Sequence, residues 1–191
     1  MFRENISNDE LNLLPLKSFE GNIIVVDNDD TMKKAFRELC GEKILGFDTE
    51  TRPSFMKERL NKMSLVQLSS QDSAYLFRIN KTRISDDILS LLESPDVIKV
   101  GASIRDDIKG IQKQFPFSPN SFMDIQNIAS EYGITDMSLR KISGIVLGFR
   151  ISKAQRLSNW EAQTLTPAQC SYAATDAWSC REIYLKLKNG Y

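Results

Sequence analysis

Histidine is missing from this 191-residue chain. That excludes Ser-His-Asp and Cys-His catalysis, and zinc sites built on imidazole. Cysteine is scarce. Cys40, Cys170 and Cys180 are too few and too scattered to replace such ligands. They are odd in number and lie in segments of helical spacing, so we expect buried apolar fillers and a reducing, cytoplasmic setting. No run of ~18 apolar residues occurs, so no membrane span is expected. The opening MFRENISNDELNLL has early acids and no apolar core, unlike a secretory signal. Charge of one sign is not in excess: 25 basic residues meet 25 acidic ones. A protein that coats nucleic acid would be more basic, whereas a site needing only a local patch is compatible with this balance.

What remains is an ordinary globular composition, 41% hydrophobic and 26% charged, which fits a single domain able to bury roughly 70% of its unfolded surface. Residues 1–22 read as an N-terminal extension, with Leu11, Leu13, Leu14 and Leu16 available to cover part of the domain and Pro15 limiting any helix. The domain then occupies 23–191. Short apolar or alternating runs predict strands over 23–26, 44–49, 63–69, 74–79 and 97–100. Helical spacing predicts helices over 29–40, 85–93, 104–115, 123–132, 138–147 and 167–188, with 51–61 a polar loop. Antiparallel strands come first, then strand and helix alternate, then helices dominate. This order indicates a layered α/β domain.

Chemistry concentrates in three segments. In ILGFDTET, Asp48 and Glu50 share one face of a strand, while Phe47 and Thr49 point the other way. Two acids on one strand face can ligate one metal, but a bare D-x-E also occurs as surface acids at a strand edge. In VGASIRDDIKGI, Ser103 and Asp106 match a capping box, which gives Asp106 a structural role. Asp107 falls beside Ile104 and Ile111 at the border of the apolar helix face and is the better candidate for a partly buried functional acid. In TPAQCSYAATDAW, Thr166, Pro167 and Gln169 form a helix-start signature. Tyr172 and Asp176 then lie four apart on one helix face, among small alanines suited to packing on a sheet. Tyr172 reads either as a core aromatic or as a phenol that orients a water. With no imidazole available, hard oxygen ligands favour Mg²⁺ or Mn²⁺.

Asp48-x-Glu50, Asp107 and Tyr172-x-x-x-Asp176, in this order, resemble the tyrosine branch of the DEDD 3′–5′ exonuclease superfamily. GFDTET, KVG before the helical acid, SNW (Ser158 to Trp160) and YAATDA resemble its Werner exonuclease and ribonuclease D group. The resemblance implies a ribonuclease H-like α/β fold, a mixed central sheet flanked by helices. It implies two divalent ions, with Asp48 between them, Glu50 and Asp176 on the ion that carries the attacking water, and Asp107 supporting the second. Tyr172 would contact that water. The implied reaction is hydrolysis at the 3′ end of DNA, with RNA as the other substrate, releasing 5′-mononucleotides. A non-catalytic nucleic-acid-binding module on the same fold is the alternative. Lys153 and Arg156 are candidate phosphate contacts or solvated loop charges, and Trp160 either packs as core or stacks on a base. Met63, Leu65 and Gln67 are the candidates for a wedge beside the terminal base.

Overall fold

The computed structural model describes residues 2–54 and 62–190. Six strands form one sheet: β1 (Asn22–Val26), β2 (Ile44–Thr51), β3 (Met63–Ser69), β4 (Ser73–Phe77), β5 (Ile98–Gly101) and β6 (Phe122–Asp124). Their order across the sheet is β1-β4-β3-β2-β5-β6, and only β3 runs against its neighbours. The first strands are therefore less antiparallel than their sequence order suggests, because β1 lies parallel beside β4. The result is a mixed sheet flanked by helices, a ribonuclease H-like α/β fold.

Helices α2 (Asp29–Leu39), α3 (Asp86–Glu93) and α4 (Ile104–Gln112) cover one face. Met32, Leu39, Ile88, Leu92 and Ile111 meet Leu45, Phe47, Val66, Tyr75 and Phe77 there in the largest apolar core. Helices α5 (Ile125–Glu131), α6 (Leu139–Leu147) and α7 (Pro167–Asn189) cover the other face. Each residue of β2 goes to one face or the other by strict alternation. Leu45 and Phe47 enter the larger core, so Gly46, Asp48 and Glu50 face α7.

The N-terminal segment is woven into the second face. Helix α1 (Asn8–Leu13) starts on a complete capping box of Ser7 and Glu10, and its Leu11 is buried against Gly144 of α6. Leu16 bridges to Arg150, and the Phe19 amide donates to the Thr175 hydroxyl at 2.9 Å. This strap thus grips α7 one residue before Asp176.

Two expectations change. Residues 122–124 form β6 before the helix begins at Ile125, because Asp124 ends the strand and caps the helix with its own side chain. Cys40 is exposed, since it falls at the C-cap of α2 beyond the last turn that touches the sheet; Cys180 alone is fully buried. Most of the loop expected over 51–61 lies outside the described residues.

Candidate active site

The site forms where β2 leaves the sheet. Helix α7 approaches β2 so closely that a Cβ on Gly46 would sit 1.9 Å from the Ala177 carbonyl oxygen. Buried Ala173, Ala174 and Ala177 keep that interface thin. Thr166 and Gln169 make the full capping box, with Pro167 in the first turn, so the helix begins where the sequence says it should. Asp176 then falls onto the acids of β2. One oxygen each from Asp48, Glu50 and Asp176 lie within 4.8 Å of one another.

Such crowding disfavours ionisation. Burial, then the charges of Asp176 and Asp107, hold the Asp48 carboxyl well above the usual carboxylate range. Glu50 is raised by burial and by Asp48, Asp176 and Asp107. Asp176 is raised by burial, with a hydrogen bond from Tyr172 working the other way. Burial and the nearby Asp176 and Glu50 push the Tyr172 phenol up, so it stays a proton donor at neutral pH. Three hard oxygens in this space fit a divalent cation, whose charge would let all three ionise together.

Asp107 arrives from the opposite side of the sheet. Thr49, which alternates away from Asp48 and Glu50, donates its hydroxyl to Asp107 Oδ1. Burial lifts the Asp107 carboxyl to about 6, opposed by that hydrogen bond and helped by Asp106 and Asp124. Asp107 stands outside the three-acid cluster, yet its charge raises both Asp48 and Glu50. Of the adjacent acids it is the one turned toward the site. Asp106 is 94% exposed and pairs with Lys109 at 3.8 Å.

The capping box of Ser103 and Asp106 does not form. Ser103 takes a left-handed conformation, φ 58°, where its hydroxyl makes no cap. Capping needs an extended N-cap. The first amide of α4, that of Ile104, donates instead to Asp124 Oδ2 at 3.3 Å.

The remaining candidates separate cleanly. Trp160 is fully buried with Leu65, Leu165 and Ala173, which settles its core role; its ring lies 6.1 Å from that of Tyr172. Leu65 and Gln67 are also fully buried. Met63 alone of the three lines a groove of about 680 Å³ along α4, together with Asp107, Lys62, Lys113 and Phe115. Lys153 and Arg156 are exposed in the turn before Trp160. Their neighbours Ala154 and Gln155 line a cavity of about 210 Å³ that also touches Tyr172 and Lys17. Thr49 and Asp124 escaped the sequence reading. Their roles depend on which distant residue they meet, and no local pattern marks them.

A mixed sheet of ribonuclease H type, with carboxylates gathered at the end of a central strand, defines a class of acid-based nucleic-acid hydrolases. Residues 23–190 match the 3′–5′ exonuclease family, and the chain belongs to that family. It is 34% identical over 183 residues, 92% of its length, to exonuclease 3′-5′ domain-containing protein 2 of Drosophila melanogaster, of which it covers 31%. It is 30% identical over 92% of its length to the bifunctional 3′-5′ exonuclease/ATP-dependent helicase WRN of Mus musculus, covering 13% of that protein. The chain thus spans a third or less of these relatives. In fold it is similar to the Aedes aegypti Nibbler EXO domain, with a TM-score of 0.81, 23% identity and 91% of each chain covered. No helix among the described residues is long and apolar enough to cross a membrane.

Proposed function

We propose that this protein is a divalent-cation-dependent exonuclease that removes 5′-mononucleotides from the 3′ end of DNA. The observation that carries this reading is the convergence of Asp48, Glu50 and Asp176 beside the Tyr172 phenol. Asp48, Glu50, Asp107 and Asp176 would hold two Mg²⁺ or Mn²⁺ ions, which when bound supply charge for the attacking and leaving oxygens. Tyr172 keeps its proton and presents a donor next to Asp176, where it can fix the attacking water. Met63 and Phe115 offer apolar surface for the terminal base in the groove beside Asp107. Lys62 and Lys113 on its rim offer charge for the phosphates of the incoming strand. Lys153 and Arg156 remain proposed phosphate contacts on the Tyr172 side. The few, scattered cysteines of the sequence are the ground for proposing a cytoplasmic setting.

A second reading, the same reaction on RNA, draws support from relatives named ribonuclease D, one 29% identical over 84% of this chain. Incubation of 5′-labelled DNA and RNA strands with Mg²⁺ or Mn²⁺ separates the two. A ladder shortening from the 3′ end of DNA is expected, with circular DNA left intact. A ladder on RNA alone would replace the substrate, and no ladder on either would end the proposal.

A further inference from the structure

Gln67 is fully buried, and among the described residues neither the oxygen nor the nitrogen of its carboxamide has a hydrogen-bond partner. Burying an amide with nothing to bond is costly, so such a group calls for a reason. The sheet register locates it. Gln67 of β3 lies directly opposite Asp48 of β2 and opposite Leu76 of β4. Residues opposed in an antiparallel pair share a face, with Cβ atoms about 5 Å apart. That face is the one under α7, where Leu65, two residues earlier, packs on Ala173. Asp176 comes down on the same face, and its Oδ1 is likewise buried without a partner. A two-proton donor lacking acceptors thus sits under two carboxylates, one of which has an oxygen lacking a donor.

We infer that Gln67 is a positioning residue for the carboxylate cluster: its carboxamide N–H groups donate to Asp48 and Asp176 when these hold a divalent cation. The inference rests on the cation-dependent reading above and deepens it. A hydrogen bond to a charged carboxylate is roughly twice as strong as one between neutral groups. It fixes one lone pair of each acid and leaves the others aimed at the cation. The indole N–H of Trp160, on the same wall, is also buried without a partner among the described residues, but it has one proton and its ring lies beside Tyr172, whereas Gln67 brings two protons from directly opposite Asp48. The role has a signature that simple packing lacks. The amide nitrogen is unpaired without the cation and paired with it, so an apolar residue of similar length should be harmless without the cation and harmful with it.

The test is Gln67→Met, with melting temperature followed in chelator and through a MnCl₂ titration, alongside trimming of a 5′-labelled strand. The variant is expected to melt no lower than wild type in chelator. It should need about tenfold more Mn²⁺ for half-maximal stabilisation and trim about tenfold more slowly at limiting Mn²⁺. If its Mn²⁺ midpoint and rate match wild type, Gln67 has no such role. Equal losses of stability with and without Mn²⁺ would make it a packing residue, as would failure of both Gln67→Met and Gln67→Leu to fold. A wild-type protein whose melting ignores Mn²⁺ would instead overturn the cation reading itself, and the role of Gln67 with it.

Discussion

Helices α7 and α4 both deliver acids to the end of β2, but they are held there by different means. The start of α7 is fixed locally: Thr166 caps, Gln169 reciprocates and Pro167 occupies the first turn. Its seat is fixed by small residues, with Ala177 against Gly46. The start of α4 has no local cap. Its first amide is caught by Asp124, 20 residues further along, and its acid is held by Thr49 on the β2 face that looks toward α4. Asp176, on the locally specified helix, joins Asp48 and Glu50 within 4.8 Å, whereas Asp107 remains outside. A seat built of backbone and small side chains gives the tight cluster. Single side-chain contacts give the fourth acid, which can therefore be released one contact at a time.

Gly46→Ala breaks the tighter seat and should have the largest effect. Its Cβ would meet backbone at 1.9 Å, so α7 must lift from the sheet. We expect a loss of about 1–3 kcal/mol in denaturant unfolding, and loss of trimming as Asp176 leaves Asp48. Asp124→Ala breaks the looser seat. It removes the acceptor for the Ile104 amide and, at 3.0 Å, for that of Gln126, the capped amide of α5. A cost of about 1–2 kcal/mol is expected, with slower trimming as Asp107 shifts. Thr166→Ala removes only the side-chain cap of α7. It should cost about 1 kcal/mol and leave trimming close to wild type, because Pro167 and the contact with Gly46 remain. Should Thr166→Ala slow trimming as much as Asp124→Ala, the contrast between the two helices fails.

The acids also set a pH dependence. Their folded values lie above the unfolded ones, near 4 for a carboxyl and about 6 for Asp107 in the folded chain. Over that range the folded chain binds more protons than the unfolded chain. Stability in chelator should therefore fall as pH rises from about 4 through these folded values. Mn²⁺ should oppose the fall, since it favours the ionised acids. Melting temperatures at pH 5 and pH 8, with and without Mn²⁺, check the sign.

Much of this was legible in the sequence, and the limits have physical causes. Apolar spacing located every helix from α2 to α7 and five of the strands. Alternation placed Asp48 and Glu50 together, and the wheel preferred Asp107 to Asp106. Strand β6 was missed because three residues, Phe122 to Asp124, are too few to show alternation. The Ser103 box matched in letters and failed in conformation, because the turn out of β5 makes Ser103 left-handed. The pairing of β1 with β4, the bond from Thr49 to Asp107 and the solitary burial of Gln67 are facts of tertiary contact. Nothing within a few residues of them carries the signal.

In the proposed mechanism Asp48, Glu50 and Asp176 form one cation-dependent hydrolytic centre. The most direct measurement compares Asp176→Asn with wild type on a 5′-labelled strand, with melting followed in chelator and in Mn²⁺. The ladder is expected to disappear and the Mn²⁺-induced rise in melting temperature to collapse. In chelator the variant should melt at or above wild type, because one of three crowded acids is gone. A variant that still trims the strand, or that keeps the full Mn²⁺ shift, would contradict it.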